Sequence, residues 1–261
     1  MTPTAGGDMS MKLRDQVAVV TGAGQGMGRG IALAMATEGA RLVLVGRTST
    51  TLDAVAGEVE SRGSTALVVV ADVSTRDAAL AVARAAVDAY GRIDVLVNAA
   101  YDSRVGLLDE LDADDARHDW ATGFATTLWC TQACHPALAA SGGSIINVGA
   151  ATGLKPDTTT FALYASTKEA VRSLTRTAAC ELAADGIRVN ALIPLAGSPS
   201  FDAWAQEHPD DYATICASIP LGQMGEAEHD VGPAAVFLAS ADAHYVTGTT
   251  VLADGGRGFL R

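Results

Sequence analysis

Apolar residues fall in short, nearly unbroken blocks separated by longer amphipathic stretches. The blocks are residues 17–20, 42–45, 66–70, 93–97, 144–148, 187–192 and 249–252, rich in β-branched side chains. A block without a polar face suits a parallel strand covered on both sides. Between the blocks, residues 28–38, 49–61, 75–90, 112–140, 161–184 and 227–240 show the wider apolar spacing of helices. Regular alternation predicts an α/β fold: a doubly wound, seven-stranded parallel sheet of Rossmann type with helices on both faces. With no repeat, low-complexity block or linker, residues 12–261 are read as one domain and 1–11 as a mobile N-terminal tail. The least regular stretch, 194–225, holds Pro194, Pro199, Pro209 and Pro220. It reads as a long functional loop with a short helix at 201–208, and 198–225 as a candidate lid.

The first block runs into Thr21-Gly22-Ala23-Gly24-Gln25-Gly26-Met27-Gly28, and a helical pattern follows at once. Strand, glycine loop and helix start, in that order, make a phosphate site. Glycine permits a tight turn and lets a pyrophosphate approach backbone N–H groups, while the helix N-terminus faces the negative charge. The spacing Gly22-x3-Gly26-x-Gly28 is not the G-x-G-x-x-G fingerprint. Taken alone, a glycine-rich turn would look the same, so the loop gains weight only from its neighbours.

Composition narrows the field. Hydrophobic residues make up 49% of the 261, ample for a core. No apolar run approaches a membrane span, and the first dozen residues lack the apolar stretch of a secretory signal. The formal net charge of −12 argues against nucleic acid or anionic lipid as a partner. Cys130, Cys134, Cys180 and Cys216, without an export signal, predict reduced thiols and a cytoplasmic protein. Cys130-x3-Cys134-His135 could face one way on a helix, but no second ligand pair at zinc-like spacing exists, so no metal is expected.

If the glycine loop holds a dinucleotide, the end of the second strand selects its type. An NAD site places an acid there for the ribose 2′-OH. Here the chain reads Gly46-Arg47-Thr48-Ser49. Arg47 offers a planar cationic fork for a 2′-phosphate, and Thr48 adds a donor, so NADP(H) is expected over NAD(H). Asp72, after the third block, is placed to accept from the adenine amino group or, alternatively, to cap the next helix.

Tyr164 and Lys168 lie four apart in a helical stretch, on one face. A free tyrosine is a poor base at neutral pH, and a neighbouring ammonium favours its phenolate. Tyr164 could then exchange a proton with a substrate oxygen while hydride moves to or from a nicotinamide. The spacing alone is weak, and a solvated helix face would also produce it.

With that pair the chain resembles the short-chain dehydrogenase/reductase superfamily, single-domain branch, over nearly its whole length. The resemblance rests on Thr21-Gly22-x3-Gly26-x-Gly28, Asp72-Val73, Leu96-Val97-Asn98-Ala99-Ala100, Gly143-Ser144-Ile145-Ile146-Asn147, Tyr164-x3-Lys168, Ile187-Arg188-Val189-Asn190-Ala191 and Tyr245-Val246-Thr247-Gly248 with Asp254-Gly255-Gly256. It implies that Lys168 also binds the nicotinamide ribose and that Asn98 steadies the central strand. Val73, Ala99, Ala100 and Pro194 would line the cofactor. The stretches 112–140 and 161–184 resemble a tetramer-forming pair, so a homotetramer is expected.

The departures are specific. The family's serine, which hydrogen-bonds the substrate carbonyl, aligns with Ala150, and its relay asparagine with Gly123. Asn-Asn-Ala-Gly becomes Asn98-Ala99-Ala100-Tyr101, and Pro-Gly becomes Pro194-Leu195. Three readings stay open. The chain is a working NADP(H)-dependent carbonyl or alcohol oxidoreductase, with a hydroxyl of Thr152, Thr158, Thr159 or Ser103, or a water, replacing the serine. It reduces an imine or iminium, which needs no oxyanion donor. Or it binds a cofactor or partner without turnover. An enoyl-reductase-like Tyr-x6-Lys is disfavoured, because that position is Phe161. Tyr101, Leu195 and Trp204, with Phe201, Tyr212 and Ile215, could line an apolar substrate pocket beside Ala150 and Thr152, or simply pack the lid down. His118, His208 and His244 read as ordinary surface histidines.

Overall fold

The computed structural model describes residues 11–154 and 159–258, apart from the Ser200 side chain. Those residues form a seven-stranded, all-parallel sheet in the order β3-β2-β1-β4-β5-β6-β7, as the alternating pattern predicts. The strands are β1 (Val17–Thr21), β2 (Arg41–Gly46), β3 (Ala66–Val70), β4 (Val95–Asn98), β5 (Ser144–Val148), β6 (Arg188–Pro194) and β7 (Thr250–Ala253). β1 pairs with both β2 and β4, aligning Thr21 with Asn98. Strand order reverses between β1 and β4, and a cleft opens at the carboxyl ends there, the usual ligand position in this architecture.

Alternation along each strand feeds two cores. Ala18 and Val20 pack with Ile31, Leu33 and Met35 of α1 (Gly26–Thr37), with Leu52 of α2 (Ser49–Ser61), and with Ala235 and Leu238 of α9 (Gly232–Ala239). On the other face, Val17 and Val19 pack with Val82 of α3 (Arg76–Tyr90), Cys130 and Leu138 of α5 (Thr126–Ser141), and Ala178 of α6 (Ala162–Glu181). Fully burying one such side chain is worth roughly 1.5–3 kcal/mol, so the sheet is a stiff platform for the loops at its edge.

Three expectations need correction. The stretch 112–140 is not one helix. It is α4 (Ala113–Asp119), a wide π turn (Trp120–Ala125) and then α5. The π turn sits at Gly123, where the backbone lies against Thr167 and Tyr101. The stretch 227–240 likewise opens with a π turn (Ala227–Val231) before α9. The region 194–225 is not mostly loop either. It holds α7 (Pro199–Glu207) and α8 (Pro209–Ala217). Pro199 and Pro209 start these helices, where the missing N–H is not needed, and the Phe201 N–H donates to the Ser198 hydroxyl at 3.3 Å as a cap.

Strand ends also shift. The fourth strand runs 95–98, not 93–97, and the sixth 188–194, not 187–192. Residues 1–10, most of the expected tail, and Thr158 lie outside the described residues. Among the described residues, no helix is long and apolar enough to cross a membrane, and no group of side chains has the make-up of a metal site.

Candidate active site

The glycine loop is built where β1 must pass its neighbour. The Thr21 hydroxyl accepts from the Ala99 and Ala100 amides at 3.1 Å each and donates to Val97 O at 3.3 Å, tying β1 to β4. Gly22 and Gly26 take φ of 67° and 53°, a region costly to other residues. A Cβ on Gly28 would stand 2.2 Å from Gly22 O, and one on Gly22 would stand 2.9 Å from Ala100 Cα. Gln25, the residue before α1, makes no side-chain cap, so the first amides of α1 are left for an anion. This bare, amide-lined turn fits a dinucleotide pyrophosphate.

The loop opens into a cleft of about 1290 Å³. Gly22, Gln25, Gly26, Met27, Gly28, Arg47, Thr48, Asp72, Val73, Ala99, Ala100, Tyr164, Lys168 and Pro194 all line it, as do Tyr101, Ala150, Thr152, Leu195 and Trp204. Thr21 and Asn98 do not. They lie beneath it, buried, and act through the loop. Asn98 donates to Asn147 Oδ1 at 2.8 Å, and Asn147 donates to the Thr175 hydroxyl at 2.9 Å, a brace across β4, β5 and α6.

Arg47, also lining the cleft, is exposed and carries an ion pair that residue order does not reveal. Its guanidinium lies 3.0 Å from Asp102 Oδ2, and His118 Nε2 lies 3.5 Å from the same oxygen. His118 is only partly exposed there. His208 is exposed and stacks on Trp204 at 5.2 Å. Asp72 Oδ1 accepts from Ser74 N at 3.0 Å, which holds its carboxyl below the usual range. The cap of α3 itself comes from Thr75.

Tyr164 and Lys168 sit in the first two turns of α6 and face the cleft together. Lys168 Nζ donates to Val148 O at 2.7 Å, at the end of β5. It lies 4.8 Å above the Tyr101 ring and 5.9 Å above that of Tyr164. Burial pulls the Lys168 ammonium down to about 8 and pushes the Tyr164 phenol up to about 12. The sequence had suggested a lowered phenol. The reverse holds, because the ammonium is drawn to Val148 and the ring face while burial penalises the phenolate.

Ala150 is buried on the wall of the same cleft, with no hydroxyl to offer. Of the hydroxyls considered as replacements, Thr152 and Thr159 line the cleft. Ser103 does not, and its hydroxyl is spent on Asp119 at 2.9 Å. Cys130 and Cys134 are buried in the core, with their thiols pushed up by burial. His135 points away to Asp185 at 2.7 Å, so the three do not converge.

The chain is similar to known proteins over nearly its whole length. A family model described as enoyl-(acyl carrier protein) reductase matches residues 22–257. A galactitol 2-dehydrogenase (L-tagatose-forming) of Cereibacter sphaeroides is 38% identical over 249 residues, covering 94% of this chain and 96% of the relative. A short-chain type dehydrogenase/reductase from Mycobacterium marinum superposes with a TM-score of 0.85 at 29% identity, over 95% of this chain and 97% of the other. The RhlG/NADP active-site complex of Pseudomonas aeruginosa superposes with a TM-score of 0.88 at 27% identity, over 95% and 98%. The chain belongs to the short-chain dehydrogenase/reductase superfamily. It is an oxidoreductase of that type, served by a nicotinamide cofactor and acting on a small molecule.

Proposed function

We propose that the protein is an NADP(H)-dependent oxidoreductase interconverting a ketone and a secondary alcohol, with Tyr164 as proton donor and acceptor. The observation that carries this reading is the placement of Tyr164 and Lys168 side by side, in the same cleft as the glycine loop. When bound, the dinucleotide supplies or takes up the hydride. The amides of Gly26 to Gly28 would hold its pyrophosphate, and Lys168 would orient the nicotinamide ribose. At neutral pH the Tyr164 phenol is protonated, the form needed to donate to a nascent alkoxide. Oxidation needs the phenolate, so it gains from alkaline pH.

NADP(H) is favoured because Arg47 directly follows β2, at the chain position where an NAD site would have its acid. A 2′-phosphate would take the place of Asp102 on that guanidinium and gain a charged contact that a 2′-OH cannot make. The RhlG complex with NADP is in keeping with this choice. Enoyl reduction is not favoured despite the name of the matching model. Its Tyr-x6-Lys would put a tyrosine where Phe161 meets the Tyr164 ring edge-on at 5.9 Å.

Ala150 favours a second reading, an imine or iminium substrate, since an electrophilic carbon tolerates the loss of an oxyanion donor. Phe201, Trp204, Ile215 and Leu195 give the mouth of the cleft an apolar wall suited to a cyclic or aromatic substrate, with α7 and α8 as its lid. A homotetramer would cover Leu108 and Trp120, which are 79% and 51% exposed near α4 and α5.

The test is NADPH oxidation against ketones, diketones, quinones and cyclic imines. Turnover of a ketone, lost in Tyr164→Phe, is expected. Turnover of imines alone would move the assignment to the second reading, and no turnover at all would leave a binding protein.

A further inference from the structure

The family resemblance puts an asparagine at position 123 and a glycine at position 101. This chain has them the other way round in size, and the structure shows why. A Cβ on Gly123 would stand 2.9 Å from Tyr101 Cε2 and 2.3 Å from Thr167 Cγ2. No side chain fits at 123, because the Thr167 methyl and the Tyr101 ring together fill that space.

The Tyr101 hydroxyl is not free for substrate. It donates a short hydrogen bond to Asp119. Asp119 is buried and also accepts from the Ser103 hydroxyl at 2.9 Å and Arg104 N at 2.8 Å. What Tyr101 presents to the site is its ring. One face stacks on Tyr164 at 5.3 Å and 23°, and the Lys168 ammonium lies 4.8 Å from the ring centre. Among the described residues no carboxylate pairs with Lys168, and Val148 O is its hydrogen-bond acceptor. The electron-rich ring therefore supplies negative potential to a buried cation.

We propose that Tyr101 is a positioning residue for the Tyr164–Lys168 pair: its ring, seated on Gly123 and pinned by Asp119, keeps the Lys168 ammonium charged and aligned with the phenol. The proposal rests on that pair being the working one. Tyr164 faces the ammonium from its own helix and Tyr101 from the segment after β4, while β5 contributes the Val148 carbonyl. Glu169, next in the chain, is engaged by Arg172 at 2.9 Å.

The experiment is a titration of Lys168 by NMR in the cofactor-free protein, beside the pH profile of kcat/KM for ketone reduction. Tyr101→Phe keeps the ring, and its Lys168 midpoint should stay within a few tenths of a unit of the parent. Tyr101→Leu should lower the midpoint by about half to one unit and carry the alkaline limb of the profile with it. Fluorinated phenylalanines at position 101 keep the shape and should lower the midpoint stepwise as fluorines are added, which serves if the leucine variant fails to fold. A midpoint indifferent to fluorination overturns the proposal, as does a Tyr101→Phe variant that shifts as far as Tyr101→Leu. A normal fluorine trend in a protein without turnover would instead sink the catalytic reading and leave this one standing.

Discussion

Lys168 should make the cofactor-free protein less stable, not more. An ammonium drawn down from 10.5 to about 8 by burial costs the folded state about 3 kcal/mol at neutral pH. Lys168→Met removes that cost and keeps the volume. It also leaves Val148 O without its donor, a loss of roughly 1–2 kcal/mol. The net gain of about 1–2 kcal/mol should raise Tm by roughly 2–8 °C for a chain of this size. The sign with pH is fixed by the direction of the shift. Between about pH 8 and 10.5 the unfolded chain holds the lysine proton more tightly, so the parent gains stability as pH rises. The advantage of Lys168→Met should therefore be full below pH 8 and gone by about pH 10.5, where the lost hydrogen bond leaves the variant level or behind. The Tyr164 phenol, raised to about 12, lowers stability above its unfolded value of 10.0 in both proteins, so the difference in Tm is the readout. Scanning calorimetry from pH 6 to 10.5 measures it. A variant less stable than the parent at pH 7, or a difference that does not change with pH, would refute the reasoning.

Cofactor choice is tested at Arg47: Arg47→Ala should weaken NADPH by roughly 10- to 100-fold by titration calorimetry and leave NADH nearly unchanged. Asp102→Asn should tighten NADPH by freeing the guanidinium, and equal loss of both cofactors in Arg47→Ala would discard the assignment. Ala150→Ser should raise kcat/KM for simple ketones, by up to about 10²-fold where the new hydroxyl reaches the oxyanion. If Thr152 already fills that role, Thr152→Val should be the damaging change and Ala150→Ser nearly silent. Gly123→Asn should cut soluble yield and activity through its clash with Thr167 and Tyr101, and Tyr101→Gly together with Thr167→Ser in the same chain should restore yield. Unchanged yield in Gly123→Asn would show that the site gives way more easily than its packing implies.

Much of this site could be read from residue order. The glycine loop, the sheet and the Tyr164–Lys168 pair follow from short-range pattern, because a bare turn and an i, i+4 face are local geometry. What could not be read is tertiary. Pro199 and Pro209 look like breakers along the chain, yet each starts a helix once Ser198 caps the first and the pair folds over the cleft. Asp102 and Asp119 look like two more acids in an acidic chain. One ends on Arg47 and the other is buried under Tyr101. The one hint is the tyrosine itself, standing where the family pattern places glycine, together with Gly123 where that pattern places asparagine. The raised phenol of Tyr164 was hidden for the same reason, since burial is set by elements distant in sequence.

The central claim is that this cleft moves hydride while Tyr164 moves the proton. The most direct measurement is mass spectrometry of the alcohol formed from a ketone with NADPH carrying deuterium at both C4 positions of its dihydronicotinamide. The account predicts one deuterium on the carbinol carbon with the parent protein, and none with Tyr164→Phe although that variant still binds NADPH. Deuterated alcohol at the parent rate from Tyr164→Phe, or tight NADPH binding with no labelled product from the parent protein on any carbonyl, would contradict it.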